Sequence, residues 1–338
     1  MIIESSAPTR IDLAGGTLDI WPLYLFHEGA QTLNAAISLR ARARLEPRTD
    51  GLRVFHSIDT GRQVTRTPES DLRDPSDLRL LTLLAHAFLG RDHTGAVTRN
   101  GFTLTTDCAS PAGAGIAGSS ALAVAVGAAF GRAIGAEPDG ETLLEIVKNV
   151  ECQTIRVPTG VQDYRPALYG GVAAIELGLE APRRVALPVL PAALEDRIVL
   201  CYTGEPHNSG TNNWEITRRH LDGDRFIFDC FERIRDTAVV MREALAREDW
   251  AAVADAVNTE WANRTRLAPG VTTPTIDRLM QAAGSAGATA GKVCGAGGGG
   301  CLFCLTPPDR HAAVAAALEA GGARLLPFSI ETEGLQWQ

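Results

Sequence analysis

The 338-residue sequence contains few aromatic residues, no long apolar run and no excess of positive charge. Aromatic residues make up only 6% of the chain. No run approaches the roughly 20 apolar residues that a membrane-spanning helix requires. Lys and Arg number 32 against 40 Asp and Glu, which gives a net charge of −8. This balance argues against nucleic acid or an anionic membrane as a partner of the whole surface, although it permits a local basic pocket.

Patterns that would indicate export or cysteine chemistry are also missing. The seven cysteines are odd in number and most lie in apolar runs, which predicts free, buried thiols in a reducing compartment. Cys301 and Cys304 form a C-x-x-C pair, yet no second pair or nearby His completes a metal-binding pattern. The N-terminus lacks the basic and apolar regions of a secretory signal peptide. We therefore expect a cytoplasmic protein.

The rest of the composition is typical of a globular protein, with 45% hydrophobic residues. A chain of this length can form two domains. Apolar patterns for strands and helices interleave without regular βαβ repetition, which indicates an α+β fold with two lobes. The apolar, Pro-rich stretch around residues 180–194 is the predicted crossover. We place the N-terminal lobe at residues 1–185 and the C-terminal lobe at residues 186–338.

Several elements can be placed from hydrophobic patterns and helix-start signals. We predict a strand at residues 101–107, helices at 121–134 and 141–155, and a strand at 198–202. Further helices are predicted at 224–247, 249–265, 273–286 and 309–320, and a last strand at 324–330. The polar segment 203–214 is predicted to be a loop. It either binds a ligand or caps the following helix, and the sequence leaves both open.

Small residues fill the segment between the first predicted strand and helix. Residues 110–120 read Ser-Pro-Ala-Gly-Ala-Gly-Ile-Ala-Gly-Ser-Ser. Small side chains let backbone N–H groups approach a ligand, and a helix N-terminus carries about half a positive charge. This central loop therefore predicts an anion site, most often one for phosphate. No Lys follows the glycines, so it is not a Walker A loop, and a turn that only packs the helix on a sheet stays as the alternative.

Two further Gly-rich loops, at residues 14–16 and 295–300, are expected to converge with the central loop on a ligand. Two carboxylates, Glu151 and Asp163, follow the central loop. Ser119 and one carboxylate are enough to hold Mg²⁺ together with phosphates and water, and phosphoryl transfer needs a carboxylate to orient the attacking hydroxyl. Taken singly, Glu151 could instead lie on a solvated helix face and Asp163 in a turn or cap.

In order and spacing, the three loops resemble the motifs of the GHMP kinases, a family named after galacto-, homoserine, mevalonate and phosphomevalonate kinases. The resemblance covers nearly the whole chain. The first motif reads P-x-R-I-x-L-x-G-x-x-x-D at residues 8–19, and the third reads K-V-C-G-A-G-G-G-G-C at residues 292–301. The sequence G-V-Q-D-Y at residues 160–164 is similar to the corresponding segment of the heptose-phosphate and fucose kinase branch.

The resemblance implies a ribosomal protein S5-like N-terminal lobe that binds ATP and a ferredoxin-like C-terminal lobe. It implies transfer of the ATP γ-phosphoryl group to a hydroxyl, with Asp163 as the base and Arg10 as its electrostatic partner. Ser119 and Glu151 are the implied Mg²⁺ ligands. The implied ATP-binding residues are Pro111, Gly113, Ala114, Gly115, Ile116, Ala117, Gly118, Ser119 and Ser120. The implied substrate-binding residues are Gly16, Thr17, Asp19, Gly297 and Gly298.

The central loop departs from the family pattern, which usually reads Gly-Leu-Gly-Ser-Ser. An ungapped match places Gly118 at the first Ser and Ser119 at the second, metal-side Ser. A one-residue insertion would select Ser120 instead, and we prefer Ser119 because the following helix then stays in register. The Glu-His-Thr that precedes Asp19 in galactokinases is replaced by Gly-Thr-Leu, which disfavours galactose.

These features predict an ATP-dependent kinase for a sugar or sugar phosphate, similar to the D-glycero-D-manno-heptose 7-phosphate kinases. One alternative is a mevalonate-like or other small-alcohol kinase. Another is a regulator that binds sugar and ATP without turnover, which the departure at Gly118 keeps open. The expected partners are ATP, Mg²⁺ and a small-molecule substrate, without nucleic acid or membrane, and a homodimer stays open.

Overall fold

The computed structural model describes residues 1–92, 95–206 and 209–337. Its strands are β1 (Ile3–Ala14), β2 (Gln31–Pro47), β3 (Arg53–Ser57), β4 (Arg62–Arg66), β5 (Phe102–Cys108), β6 (Val172–Glu176), β7 (Arg183–Ala186), β8 (Ile198–Tyr202), β9 (Ala290–Val293), β10 (Cys301–Leu305), β11 (Arg324–Leu325) and β12 (Gln336–Trp337).

Its α-helices are α1 (Arg79–Leu89), α2 (Ala96–Asn100), α3 (Gly118–Ala133), α4 (Gly140–Ile155), α5 (Tyr164–Tyr169), α6 (Pro191–Glu195), α7 (Ser209–Leu221), α8 (Arg225–Ala246), α9 (Trp250–Arg264), α10 (Pro274–Ala286) and α11 (His311–Ala320). Short 3-10 helices lie at Leu23–Phe26 and Pro308–Arg310. Among the described residues, no helix is both long enough and apolar enough to cross a membrane.

The first sheet has eight strands and is built around the antiparallel pair β1 and β2. Its strand order is β12-β1-β2-β5-β3-β4. Strand β6 pairs with the first part of β2 on one side and with β7 on the other. Helices α1, α3 and α4 bury their apolar side chains with those of the sheet, among them Phe88, Val124, Phe130 and Leu144. Since β12 pairs with β1, the C-terminal residues return to the sheet in which the chain begins.

The second sheet has four strands in the antiparallel order β11-β8-β10-β9. Apolar residues of α10 and α11 pack with one set of its side chains. Leu200 and Phe303, from β8 and β10, instead share a core with Ile11 and Leu33 of the first sheet. This shared core holds the Gly-rich loop before β10 near the end of β1.

Helix α3 packs very closely on α4 because its sequence is rich in Ala and Gly. A Cβ added at Gly127 would lie 2.9 Å from side-chain carbons of both Leu143 and Val147 on α4. A larger residue at this position would force the two helices apart. The close packing positions the first turn of α3 beside Glu151, which lies in the last turns of α4.

Most predicted elements are confirmed, including the strand at 198–202, which matches β8, and the helix at 224–247, which matches α8. The prediction of a loop over residues 203–214 is wrong from residue 209 onward, where α7 begins. Residues 207 and 208 lie outside the described residues. The last predicted strand is too long, because β11 ends at Leu325. Beyond it, the N–H of Leu326 still donates to the carbonyl of Leu200, and Ile330 forms a single bridge with Ile37. The lobe boundary at residues 185 and 186 stays a prediction.

A cluster of titratable side chains joins the first 3-10 helix to α7 and α8. His27 is buried, with Nδ1 at 2.5 Å from Oε1 of Glu232 and Nε2 at 2.9 Å from Nε2 of His220. Because Glu232 accepts the Nδ1 proton, a neutral His27 offers a bare Nε2 to the N–H of His220. Burial lowers the pKa of His27, although Glu232 opposes the shift. Burial and the charge of His27 lower the pKa of His220 to about 4.

We expect this cluster to make the fold sensitive to acid. Unfolded imidazoles titrate near pH 6.5, so below that pH the unfolded state binds more protons than the folded state. The free energy of unfolding therefore decreases as the pH falls from about 6.5 towards about 4. His220→Phe keeps a ring beside Phe228 and Phe231 and should lose less stability than the wild type between about pH 7.5 and about pH 5 in urea unfolding. An equal loss in both proteins would contradict this explanation.

Candidate active site

A cavity of about 390 Å³ opens where the three Gly-rich loops meet, a volume typical of ligand sites. The end of β1, the central loop, the start of α3 and the end of α4 line it. The N–H of Cys301 donates to the carbonyl of Ala114 over 2.6 Å, which joins the third loop to the central loop. Arg264 donates to the carbonyls of Gly16 and Gly295 over 2.8 and 3.4 Å, which joins the first loop to the third. The three loops meet as predicted, and their convergence on a ligand stays a prediction.

Arg10 lies at the centre of this convergence, with its side chain only 4% exposed. Its Nη1 donates to the carbonyls of Gly115 and Cys294 over 2.8 and 2.9 Å. Its Nε and Nη2 donate to Oδ1 of Asp163 over 2.9 and 2.6 Å. Burial acts to lower the pKa of Arg10, but the negative charges of Asp163 and Asp12 outweigh it and raise the pKa. The guanidinium therefore stays charged and connects two loops with one carboxylate.

Asp163 immediately precedes α5, yet its side chain makes no capping hydrogen bond to that helix. The side chain lines the cavity and is 31% exposed. Both hydrogen bonds from Arg10 end on Oδ1, so Oδ2 is the oxygen that can accept a proton from a bound ligand. A role as a helix cap does not explain this position, whereas an oriented carboxylate at a cavity wall suits a general base.

Three hydroxyl groups surround the carboxylate of Glu151. Ser119 donates to Oε1, while Ser120 and Tyr164 donate to Oε2 over 2.8 and 2.6 Å. Burial raises the pKa of Glu151, and the three hydroxyls oppose the shift. The alternative that Glu151 lies on a solvated helix face is wrong, because the residue is only 6% exposed. Both serines line the cavity, but Ser119 is exposed and Ser120 is buried, so Ser119 is the more accessible hydroxyl for a ligand.

Asp19 and Thr17 also line the cavity. Asp19 is buried, and its Oδ2 accepts the N–H of Gln162 over 2.9 Å. This close approach depends on Gly160, because a Cβ there would lie 1.7 Å from Oδ2 of Asp19. Burial and the negative charge of Asp163 raise the pKa of Asp19 to about 7. Asp19 can therefore both donate to and accept from a ligand hydroxyl near neutral pH.

The central loop presents backbone groups to the cavity. Gly113, Gly115 and Ala117 have φ values of 66°, 73° and 62°, and the residues between them have negative φ. Such alternation turns successive N–H groups to one side, as in anion-binding nests, and α3 adds its N-terminus at Gly118. The predicted ATP-binding residues that line the cavity are Pro111, Gly113, Ala114, Gly115, Ala117, Gly118, Ser119 and Ser120.

Four other predicted ligand-binding residues lie behind the cavity wall, namely Gly16, Ile116, Gly297 and Gly298. Ile116 is buried in the core that the two sheets share, and its carbonyl accepts the N–H of Arg10. The N–H of Gly298 donates to the carbonyl of Val271 over 2.8 Å. A Cβ on Gly297 would lie 2.4 Å from the same carbonyl oxygen. The structure therefore gives these residues contacts with the protein that support the wall.

A buried cluster of four charged side chains lies behind the first Gly-rich loop. Lys292 Nζ is 2.5 Å from Oε1 of Glu260 and 3.4 Å from Oδ2 of Asp12. Arg264 Nη2 is 3.1 Å from Oε1 of Glu260 and 3.5 Å from Oδ2 of Asp12. The two positive and two negative charges balance, as buried charges require. The Oε2 of Glu260 accepts the N–H of Gly15 over 2.8 Å, so the cluster fixes the first loop.

Glu260 and Arg264 are not among the residues predicted from the sequence. The available signal is their spacing, because together with Val253 and Val257 they follow the three-to-four residue repeat of the buried face of α9. A charged residue that continues an apolar stripe is a candidate for a buried ion pair. Tyr164 is the last residue of the G-V-Q-D-Y motif at residues 160–164. The sequence does not predict the hydrogen bond from its hydroxyl to Glu151, because that bond depends on tertiary packing.

Two models of one protein family match stretches of the chain that contribute to this site. Residues 80–171 match the family model for the GHMP kinases N terminal domain, and residues 241–324 match that for GHMP kinases C terminal. The chain belongs to the GHMP kinases. Ser119, Glu151 and Asp163 of this GHMP kinase lie within the first match, and Lys292 lies within the second. The predicted enzyme class, a phosphotransferase with an alcohol group as acceptor, is confirmed.

Individual relatives align over nearly the whole GHMP kinase chain. A D-glycero-alpha-D-manno-heptose 7-phosphate kinase from Campylobacter jejuni is 27% identical over 99% of this chain and 98% of its own. A mevalonate kinase from Pyrococcus abyssi is 25% identical over 99% of this chain and 97% of its own. The crystal structure of a D-glycero-D-manno-heptose 1-phosphate kinase from Bacteroides thetaiotaomicron superposes with a TM-score of 0.79 at 24% identity, covering 99% and 98% of the two chains. The predicted two-lobed α+β fold is confirmed.

Proposed function

We propose that this GHMP kinase transfers the γ-phosphoryl group of ATP to a hydroxyl of a sugar phosphate of the heptose type. The observation that carries the proposal is the 2.6 Å ion pair of Arg10 with Asp163, which orients a carboxylate in the cavity that Ser119 and Glu151 also line. ATP is the donor expected for the family, and the central loop offers N–H groups to its phosphates. The similarity to a heptose 7-phosphate kinase supports the acceptor class.

Ser119 and Glu151 fit a Mg²⁺ ion by the chemistry of their donor atoms. Mg²⁺ prefers oxygen ligands and is usually held by one or two protein carboxylates together with substrate phosphates and water. Glu151 is a buried carboxylate that receives hydrogen bonds from neutral hydroxyls, and a nearby cation would favour its charged form. When bound, the ion would neutralise charge that develops on the phosphates.

In the proposed transfer, the acceptor hydroxyl oxygen bonds to the γ-phosphorus while the bond from that phosphorus to the ADP oxygen breaks. Asp163 accepts the hydroxyl proton on Oδ2. Arg10 donates two hydrogen bonds to Oδ1 and so orients the carboxylate. Thr17 and Asp19 are the proposed contacts for sugar hydroxyls, because both line the cavity.

We further propose that the enzyme acts in the cytoplasm. All seven cysteines are free thiols, which fits a reducing compartment. Burial raises the pKa of Cys294 and of Cys304 to about 12, so these thiols are poorly suited to redox or metal chemistry. The net charge of −8 supports a small-molecule substrate over a polyanionic partner.

The proposal is tested by measuring ADP release with purified protein, Mg²⁺–ATP and a panel of acceptors. The panel contains heptose 7-phosphate, heptose 1-phosphate, unphosphorylated heptose, fucose and mevalonate. We expect the highest kcat/KM with a heptose phosphate. Turnover with mevalonate alone would support the second candidate, a mevalonate kinase, which the similarity to the Pyrococcus abyssi enzyme favours. A rise in Tm with ATP and sugar but without ADP release would support a regulator that only binds them.

A further inference from the structure

The two carboxylate oxygens of Glu151 have different environments. Oε1 accepts a hydrogen bond from Ser119, which is exposed in the cavity. Oε2 accepts hydrogen bonds from Ser120 and Tyr164, which are only 3% and 1% exposed. Oε1 therefore has an exposed hydroxyl as its partner, whereas Oε2 is bonded to two buried hydroxyls in the cavity wall. Two fixed donors on Oε2 also set the rotation of the carboxylate about its last bond, because both must be satisfied together.

The hydroxyl of Tyr164 is itself fixed. It donates its proton to Glu151, so its oxygen acts as an acceptor towards Thr159, whose Oγ1 lies 3.2 Å away and shares its proton with the carbonyl of Gly160. The ring is packed in the core with Val147, Val150 and Ala167.

We propose that Tyr164, together with Ser120, is a positioning residue that holds Oε2 of Glu151 so that Oε1 and the hydroxyl of Ser119 are presented together to a divalent cation. This inference rests on the proposed function of the cavity. It assigns different tasks to the adjacent serines, with Ser119 as the ligand and Ser120 as part of the support. It also links the two acidic groups of the site, because Tyr164 directly follows Asp163 in the chain.

A merely structural role for Tyr164 would reside in its ring, since the ring fills the core. Tyr164→Phe keeps the ring and removes the hydroxyl, so it separates the two roles. Tyr169→Phe is a matched control on the same helix, because the hydroxyl of Tyr169 also donates to a carboxylate, Oε1 of Glu141, over 3.0 Å. That pair is exposed and does not line the cavity. Ser120→Ala removes the second donor to Oε2 and serves if Tyr164→Phe fails to fold.

The test is calorimetric binding of ADP with and without Mg²⁺ to the wild type and each variant. We expect Tyr164→Phe and Ser120→Ala to weaken Mg²⁺–ADP binding by about tenfold, the effect of losing one hydrogen bond to a charged group. Metal-free ADP binding should stay within about twofold of wild type, and Tyr169→Phe should leave both values unchanged. The apparent Mg²⁺ concentration at half-saturation should rise in the same two variants.

Two results would overturn the inference. If Tyr164→Phe and Ser120→Ala keep the Mg²⁺ dependence of the wild type, the hydroxyls do not position the metal ligand. If metal-free and Mg²⁺-bound ADP weaken equally, the two side chains only support the fold. A wild type whose ADP binding does not respond to Mg²⁺ would refute the proposed metal site as well. A wild type that binds Mg²⁺–ADP with these variant effects but phosphorylates no acceptor would refute the proposed activity and leave the inference standing.

Discussion

Replacing Asp163 by Asn is expected to lower kcat for phosphoryl transfer by about 10³-fold, which lies in the range for loss of a general base. The amide has the size of the carboxylate, but it cannot take the proton of the acceptor hydroxyl. The substitution also removes the negative charge that pairs with Arg10. Initial rates of ADP release at varied acceptor concentration separate the effect on kcat from the effect on KM.

Nucleotide binding distinguishes a lost base from a damaged site. The central loop and Glu151 are held by other contacts, so Asp163→Asn should bind an ATP analogue within about threefold of wild type. Asp229→Asn is the matched control, because Asp229 pairs with Arg225 on an exposed part of α8, and its kcat should equal that of the wild type. A kcat for Asp163→Asn within about tenfold of wild type would contradict the assignment of the base.

The largest loss of stability is expected from Lys292→Met. Lys292 is fully buried between Asp12 and Glu260, and its removal leaves the two buried carboxylates with Arg264 as their remaining ion-pair partner in the cluster. Breaking a buried ion pair by removing one partner costs about 3–5 kcal/mol of the free energy of unfolding. Urea or thermal unfolding at neutral pH measures this loss, with the midpoint and slope of the transition fitted together.

The chain supplies a close control for this substitution, because it contains only two lysines, Lys148 and Lys292. Lys148 pairs with Glu145 on the surface, where the Glu145 side chain is 57% exposed, so Lys148→Met should change stability by less than about 1 kcal/mol. Adding Glu260→Gln to Lys292→Met restores the charge balance, and the double variant should lose less than the sum of the single variants. A Lys292→Met protein as stable as Lys148→Met would refute the importance of the buried cluster.

The sequence predicts the parts of this site that depend on local composition. The three Gly-rich loops are visible as runs of small residues, and their expected meeting is observed in the contact of Cys301 with Ala114. The proximity of Arg10 to Asp163 follows from the resemblance to a family and agrees with their 2.6 Å ion pair. Their roles in catalysis, and the choice of Ser119 over Ser120 as metal ligand, stay predictions that the variants above test.

Other features depend on tertiary packing and give little signal in the sequence. Glu260 appears as one more acidic residue on a helix until the burial of α9 brings it to Lys292. The sequence does not predict the start of α7, because Ser, Gly and Asn dominate its first residues and are poor helix formers. The motif predicts a substrate contact for Gly297, which stays a prediction, while the structure shows its backbone against Val271. A Gly-rich loop indicates close backbone approach without showing which surface approaches it.

The most direct test of the proposed reaction is ³¹P NMR of the wild-type protein with Mg²⁺–ATP and a heptose phosphate. Transfer would convert the γ-phosphorus signal of ATP into a new phosphorus signal that couples to a sugar proton, with ADP formed in equal amount. The same mixture with Asp163→Asn should leave the ATP signals unchanged over the same time. Release of the γ-phosphorus as inorganic phosphate, or an unchanged spectrum with every acceptor of the panel, would contradict a sugar-phosphate kinase in which Asp163 is the base.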